Sequence, residues 1–195
     1  MPLPSVSSSP PAAHRAPVTD KSEPGHPIRP VVTRPRAEDA VAVHDLIAAC
    51  PPLDPNSLYA NLLQCSHFAE TCALVRDEAG AAAWISGYRL PQAPEAFFVW
   101  QVAVREDMRG RSMAKVLLDD LLARPALKGV TTLHTTITPD NDASWGMFRS
   151  IAKHLSAEMS DQDFFDRRAH FGGRHDSERL VIIGPFGGRP PPGAA

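Results

Sequence analysis

The stretch "RGRSMAKVLLDDLL", Arg109 to Leu122, is a short basic turn that runs directly into an amphipathic helix. The first backbone N–H groups of a helix have no partner within it and lie at the positive end of its dipole, so an anion is held there readily. Arg109 and Arg111 flank Gly110, and their guanidinium forks can converge with those N–H groups on one phosphate. Ser112 stands where glycine would let the backbone come closest. Its N–H still donates, and its hydroxyl can add a donor or cap the helix. From these residues alone, a phosphate cradle and a solvated basic turn both stay open. A second stretch, "HFGGRHDSE", sets Gly172 and Gly173 among His170, Arg174, His175, Asp176 and Glu178, beside a strand. The glycines allow a close loop and the polar groups suit a polar ligand beneath it; the alternative is an exposed charged loop.

Hydrophobic periodicity supplies the elements that would position these groups. "IRPVVTR" reads as a strand, and "DAVAVHDLIAAC" as a helix with Val43, Leu46 and Ile47 on one face. After the breaker "PPLDP" comes a short helix in "NSLYANLLQC", with Leu58, Leu62 and Cys65 at helical spacing. "TCALVRD" and "AAAWISGYRL" form a hairpin through the turn "DEAG". "EAFFVWQVAVRED" is a long, nearly continuous apolar strand, as expected where both faces are covered. A strand "GVTTLHTTIT", a helix "NDASWGMFRSIAKHL" and a last strand "RLVIIG" complete the order β-α-α-β-β-β-α-β-α-β. That order predicts an α/β fold, a central mixed sheet with helices on both faces. Asp54 reads on pattern as the cap of the second helix, with Pro55 at its first position. Trp100 reads on pattern as core.

Composition narrows the classes. With 195 residues and 43% hydrophobic, the chain suits one domain with a sizeable core. Residues 1–26 and 187–195 are rich in proline with few large apolar side chains, so they are expected as a disordered extension and a flexible tail around a domain over 27–186. Lys plus Arg total 20 against 22 Asp plus Glu, which leaves no global basic field for nucleic acid or an anionic membrane. No apolar run is long enough to span a bilayer and no secretory signal is read, so a cytoplasmic protein is expected. Cys50, Cys65 and Cys72 are odd in number and lack metal-ligand spacing, so reduced, buried thiols and no metal are expected.

"VAVREDMRGRSMAKVLLDDLL" resembles motif A of the GNAT superfamily of acyl-CoA-dependent N-acyltransferases, with Arg109 at its first position, Ala114 at its last, and Ser112 replacing a glycine. The resemblance implies that Arg109, Gly110, Arg111, Ser112, Met113 and Ala114 bind the CoA pyrophosphate. It implies too that the preceding strand splays from its neighbour, with Val102 to Val104 pairing with the pantetheine arm and a backbone N–H near Val102 steadying the thioester oxyanion. Asn141 matches the family's Asn at the start of the next helix. Phe148 falls where a Tyr usually protonates the departing thiolate, which leaves the general acid unassigned; a thiol pKa of roughly 8.5 makes a strong acid dispensable.

"PPLDPNSLYANLLQC", "FVWQVAV", "TTITPDN" and "DQDFFDRRAHFGGRHDSERLVIIGPF" together resemble the L-2,4-diaminobutyrate acetyltransferase family of ectoine biosynthesis. Acetyl transfer from acetyl-CoA to the acceptor's 4-amino group is implied. Such an acceptor carries two ammonium groups and one carboxylate, so its pocket should present carboxylates, with an Arg or backbone N–H groups for the carboxylate. The resemblance then gives Asp54 an ammonium to hold and Tyr59 a hydroxyl to add. It makes Trp100 a pocket wall, Gln101 an orienting amide, and His175 and Glu178 pocket members and candidate general bases. Direct transfer in a ternary complex follows, and the family suggests a homodimer. Another small-amine or polyamine acetyltransferase, or a non-catalytic acyl-CoA sensor, are the competing readings.

Overall fold

The structure is a computed structural model that describes residues 30–187. The expected extension over 1–26 and the tail beyond Gly187 lie outside the described residues. Among the described residues, seven strands form one sheet in the order β1-β2-β3-β4-β5-β7-β6. They are β1 (Val32–Thr33), β2 (Ala73–Asp77), β3 (Gly80–Leu90), β4 (Ala93–Val104), β5 (Thr132–Ile137), β6 (Met159–Phe165) and β7 (Glu178–Ile183). Only β4 and β5 pair in parallel, and the helices are α1 (Ala40–Ala48), α2 (Leu58–Ser66), α3 (Met113–Ala123) and α4 (Asp142–Leu155).

The mixed sheet has a core on each face, as expected. On one side Val43, Leu46 and Ile47 of α1 pack on Leu74, Trp84 and Ala103. On the other, Leu117, Leu118 and Leu121 of α3 and Trp145, Phe148 and Ile151 of α4 pack on Ile85, Phe97 and Leu133. Each such side chain contributes about 1.5–3 kcal/mol on burial. Helix α3 is a run of strong helix formers, and it stops where Arg124 precedes Pro125. Helix α4 opens with the Asn141 side chain accepting from the Ser144 N–H, and it carries Asp142 in its first turn and Lys153 and His154 in its last.

Four expectations change. "SDQDFF", which has no strand in the expected order, is the edge strand β6, antiparallel to β7. The first strand is limited to two residues. Helix α2 buries Asn61, Gln64 and Cys65, whereas Leu58 and Leu62 face outward; His44 of α1 and Asn61 make a hydrogen bond of 3.0 Å, so a polar face docks there. Strand β4 is only partly covered: Pro94, Glu95 and Trp100 are exposed, and β5 pairs along its edge only from Ala96 to Phe98. All three cysteines are buried and free.

Candidate active site

The turn before α3 has the geometry an anion requires. Gly110 and Ser112 both adopt positive φ, 74° and 59°. Among the described residues, the backbone N–H groups of Gly110 to Ala114 have no protein acceptor; the first one bonded is that of Lys115, to the Ser112 carbonyl. Successive free N–H groups at a helix start form a nest for phosphate. The Ser112 hydroxyl makes no capping bond, so the cap reading of that side chain is corrected: a left-handed backbone turns it away from the helix. Arg109, Gly110, Ser112, Met113 and Ala114 line a cavity of about 490 Å³ with Val102, Val104 and Asn141. Arg111 is exposed and is not among the lining residues.

That cavity runs along the open edge of β4. The Arg105 N–H bonds to the Ala82 carbonyl of β3, so the alternation of an antiparallel ladder turns the N–H and C=O groups of Val102 and Val104 the other way, into the gap left by β5. The Val104 carbonyl accepts there from Cys50 Sγ at 3.4 Å and from Arg109 Nε at 3.2 Å. A β-bulge at Trp100 adds a second effect. Ser86 opposes Gln101 and Gly87 opposes Val99, so Trp100 has no partner on β3. The bulge inverts the in-out alternation, turning Gln101 to the face that carries Ser86 and leaving Val102 on the other.

A second cavity, of about 1050 Å³, adjoins the first; Pro52, Leu53, Val102, Asn141, Ser144 and Met147 line both. Trp100 forms one wall of it, 45% exposed rather than core, with its ring edge-on to Tyr88 at 6.3 Å. Phe148 is buried and lines this cavity, not the first. Asp54, Gln101, His175 and Glu178 meet here. His175 Nε2 lies 3.1 Å from Asp54 Oδ2 and 4.0 Å from Glu178 Oε1, while Nδ1 lies 2.7 Å from the Asp176 carbonyl oxygen. A carbonyl only accepts, so Nδ1 carries a hydrogen, and Nε2 is the atom that gains or loses one between two carboxylates. The bond to Asp176, followed by Asp54 and Glu178, raises the His175 pKa against the opposing effect of burial.

Other expected positions fall elsewhere. Ser57, not Asp54, caps α2, accepting from the Ala60 N–H at 3.2 Å. Tyr59 stands 69% exposed on the outer side of α2 and does not line the cavity, because the buried side of that helix carries Asn61, Gln64 and Cys65. Both ends of the Gln101 amide are engaged by protein: Nε2 donates to the Asp54 carbonyl at 2.8 Å and Oε1 accepts from Asn56 at 2.6 Å. His170 bonds to the Asp166 N–H inside its own turn, and Asp176 pairs with Arg167, so of that polar loop His175 and Glu178 face the cavity. No Lys or Arg lines this cavity among the described residues; beside the carboxylates its polar lining includes the hydroxyls of Tyr88, Thr135 and Thr136 and the rings of His134 and His175. Burial lowers the His134 pKa and so favours its neutral form. Sequence reasoning did not single out Asn56, Tyr88, His134 or Ser144. For Tyr88, alternation with Trp84 and Ser86 along β3 was the available signal.

Comparison with known proteins agrees with this geometry. Residues 40–152 match the model of the acetyltransferase (GNAT) family. The L-2,4-diaminobutyric acid acetyltransferase of Methylotuvimicrobium alcaliphilum is 46% identical over 159 residues, covering 80% of this chain and 92% of that protein. That of Halomonas elongata is 42% identical over 164 residues, covering 83% and 85%. The solved diaminobutyrate acetyltransferase of Paenibacillus lautus, in complex with L-2,4-diaminobutyric acid and coenzyme A, superposes with a TM-score of 0.76 at 34% identity, covering 83% of this chain and 98% of that one.

Proposed function

This chain belongs to the GNAT acetyltransferases and, within them, to the L-2,4-diaminobutyric acid acetyltransferase family, and we propose that it transfers acetyl from acetyl-CoA to the 4-amino group of L-2,4-diaminobutyrate. The observation that carries this reading is the meeting of two cavities at Val102, Asn141 and Ser144, one ending at an unpaired N–H nest and the other at Asp54, His175 and Glu178. The nest and Arg109 hold the CoA pyrophosphate, and the pantetheine arm lies along the free edge of β4. The thioester carbonyl then sits at the Val102 N–H. The acceptor's ammonium is drawn to Asp54 and Glu178, and threonine and tyrosine hydroxyls meet its carboxylate.

The chemistry needs one proton removed before attack. A 4-ammonium gives it up to Glu178 or to neutral His175, directly or through water. The freed amine attacks the carbonyl, the Val102 N–H stabilises the oxyanion, and as the tetrahedral centre collapses the nitrogen gives up its second proton to solvent and CoA thiolate leaves. No side chain becomes acetylated, and Phe148 has no proton to give the thiolate, which takes one from solvent. The product is the precursor of the osmolyte ectoine, made in the cytoplasm under osmotic stress. A second copy of the chain covers the exposed Leu58, Tyr59 and Leu62 and the aromatic pair Phe164 and Phe165; a solution mass of twice 21.1 kDa checks that homodimer.

Purified protein assayed for CoA release with diaminobutyrate, ornithine, lysine and spermidine tests the acceptor. Strong preference for diaminobutyrate, with intersecting initial-velocity lines, is expected. Comparable rates with spermidine would point to a polyamine enzyme, and CoA binding without release to a sensor.

A further inference from the structure

Asp54 has little to hold it in place. Its side chain is 78% exposed, yet it stands 3.1 Å from His175 at the rim of the acceptor cavity. Residues 51–57 form neither helix nor strand, and Pro51, Pro52 and Pro55 bring no N–H with which to anchor it. The position of the carboxylate is therefore set by its backbone. That backbone is tied to the sheet at Gln101, which is 9% exposed: the Asn56 amide donates to Gln101 Oε1 at 2.6 Å, and Gln101 Nε2 donates to the Asp54 carbonyl at 2.8 Å.

We infer that Asn56 and Gln101 are positioning residues, a two-amide latch that fixes Asp54, and with it the amine subsite, relative to the Val102 backbone. The inference rests on the acetyl transfer proposed above. Each amide needs the other's direction. Turning Gln101 over would set donor against donor at Asn56 and acceptor against acceptor at Asp54, so the two partners select one orientation. Gln101 immediately precedes Val102 on β4, so the latch and the oxyanion donor share one rigid strand. The bulge at Trp100 turns Gln101 toward the loop while Val102 keeps its N–H in the gap beside β5. A loosened loop presents the carboxylate at the rim for only a fraction of the time, and the apparent affinity for the acceptor falls by that fraction.

Steady-state kinetics of Asn56→Ala, Asp54→Asn and the double variant test this. Asn56→Ala is expected to raise KM for diaminobutyrate about tenfold while kcat and KM for acetyl-CoA stay within about twofold and the thermal midpoint is kept. In the Asp54→Asn background the same change should add nothing, because the carboxylate it positions is gone. Additive losses would show Asn56 touching the acceptor itself and overturn the latch, as would an unchanged KM in Asn56→Ala. Gln101→Glu keeps an acceptor for Asn56 and loses the donor to Asp54, so it should reproduce the raised KM; a wild-type KM there contradicts the inference. Wild-type protein inactive on diaminobutyrate overturns both the latch and the reading beneath it, whereas an active wild type with additive losses overturns the latch alone.

Discussion

His175 is the residue where charge and function meet. Its Nδ1 is fixed by the Asp176 carbonyl, and its Nε2 faces Asp54 and Glu178. Folding therefore favours the imidazolium, and the pKa rises from its usual 6.5. The sign follows: the stabilising contribution is full below 6.5 and fades as pH climbs through the raised value. An NMR titration of His175 should show a midpoint above 6.5, and Asp54→Asn should lower it by removing one carboxylate. A midpoint that ignores Asp54 would contradict the contact. Ser112 is the second test. An L-residue in the left-handed region carries a cost of about 1–2 kcal/mol, partly offset in glycine by its freer unfolded chain. Ser112→Gly should thus stabilise the protein by about 0.5–1 kcal/mol in urea unfolding. With no capping bond lost and the N–H kept, KM for acetyl-CoA should hold within about twofold; a tenfold rise would show the hydroxyl on the phosphate. The turn, His175 and Glu178 were readable through the family resemblance, because residue type and spacing alone left each open between a site and a solvated loop. Tyr59 was not, because a residue near a helix start can face either way until the buried side of that helix is known.

The elements explain which expectations failed. Strand β6 is exposed along almost its whole length, so "SDQDFF" shows no in-out alternation and its strand is invisible to periodicity. Its anchors are long-range, Arg179 of β7 pairing with Asp161 and Asp163. In α2 the leucines had helical spacing, yet a polar side docks, because Asn61 finds His44 and Gln64. The bulge at Trp100 is equally unreadable, since nothing local marks a skipped partner. Its neighbour Gly87 offers a direct test. A Cβ there would lie 2.4 Å from both Phe97 Cζ and the Phe98 carbonyl oxygen. Gly87→Ala should therefore destabilise by about 2–3 kcal/mol or more, seen as a lower urea midpoint. It should also weaken acceptor binding, because the strain falls where β4 turns Trp100 and Gln101. A neutral Gly87→Ala would show that β3 and β4 separate easily at the bulge.

At the scale of the whole molecule, two features of the sheet make one site. Strand β4 leaves β5 after Phe98, and the gap exposes backbone N–H groups between a phosphate nest and a carboxylate pocket. The fold class, the nest and the polar loop were legible in the sequence. The size of the acceptor cavity and its aromatic walls were not, because they gather residues from β3, β4, β6 and the loop after it. Among the described residues no helix is long and apolar enough to cross a membrane. The central claim is transfer to one nitrogen of one diamino acid, and NMR of the product tests it most directly. With acetyl-CoA labelled in the acetyl carbonyl and diaminobutyrate labelled at its 4-nitrogen, the account predicts a direct carbon–nitrogen coupling in a product formed one-to-one with free CoA. Acetyl on the 2-nitrogen, or CoA released without that coupling, would contradict it.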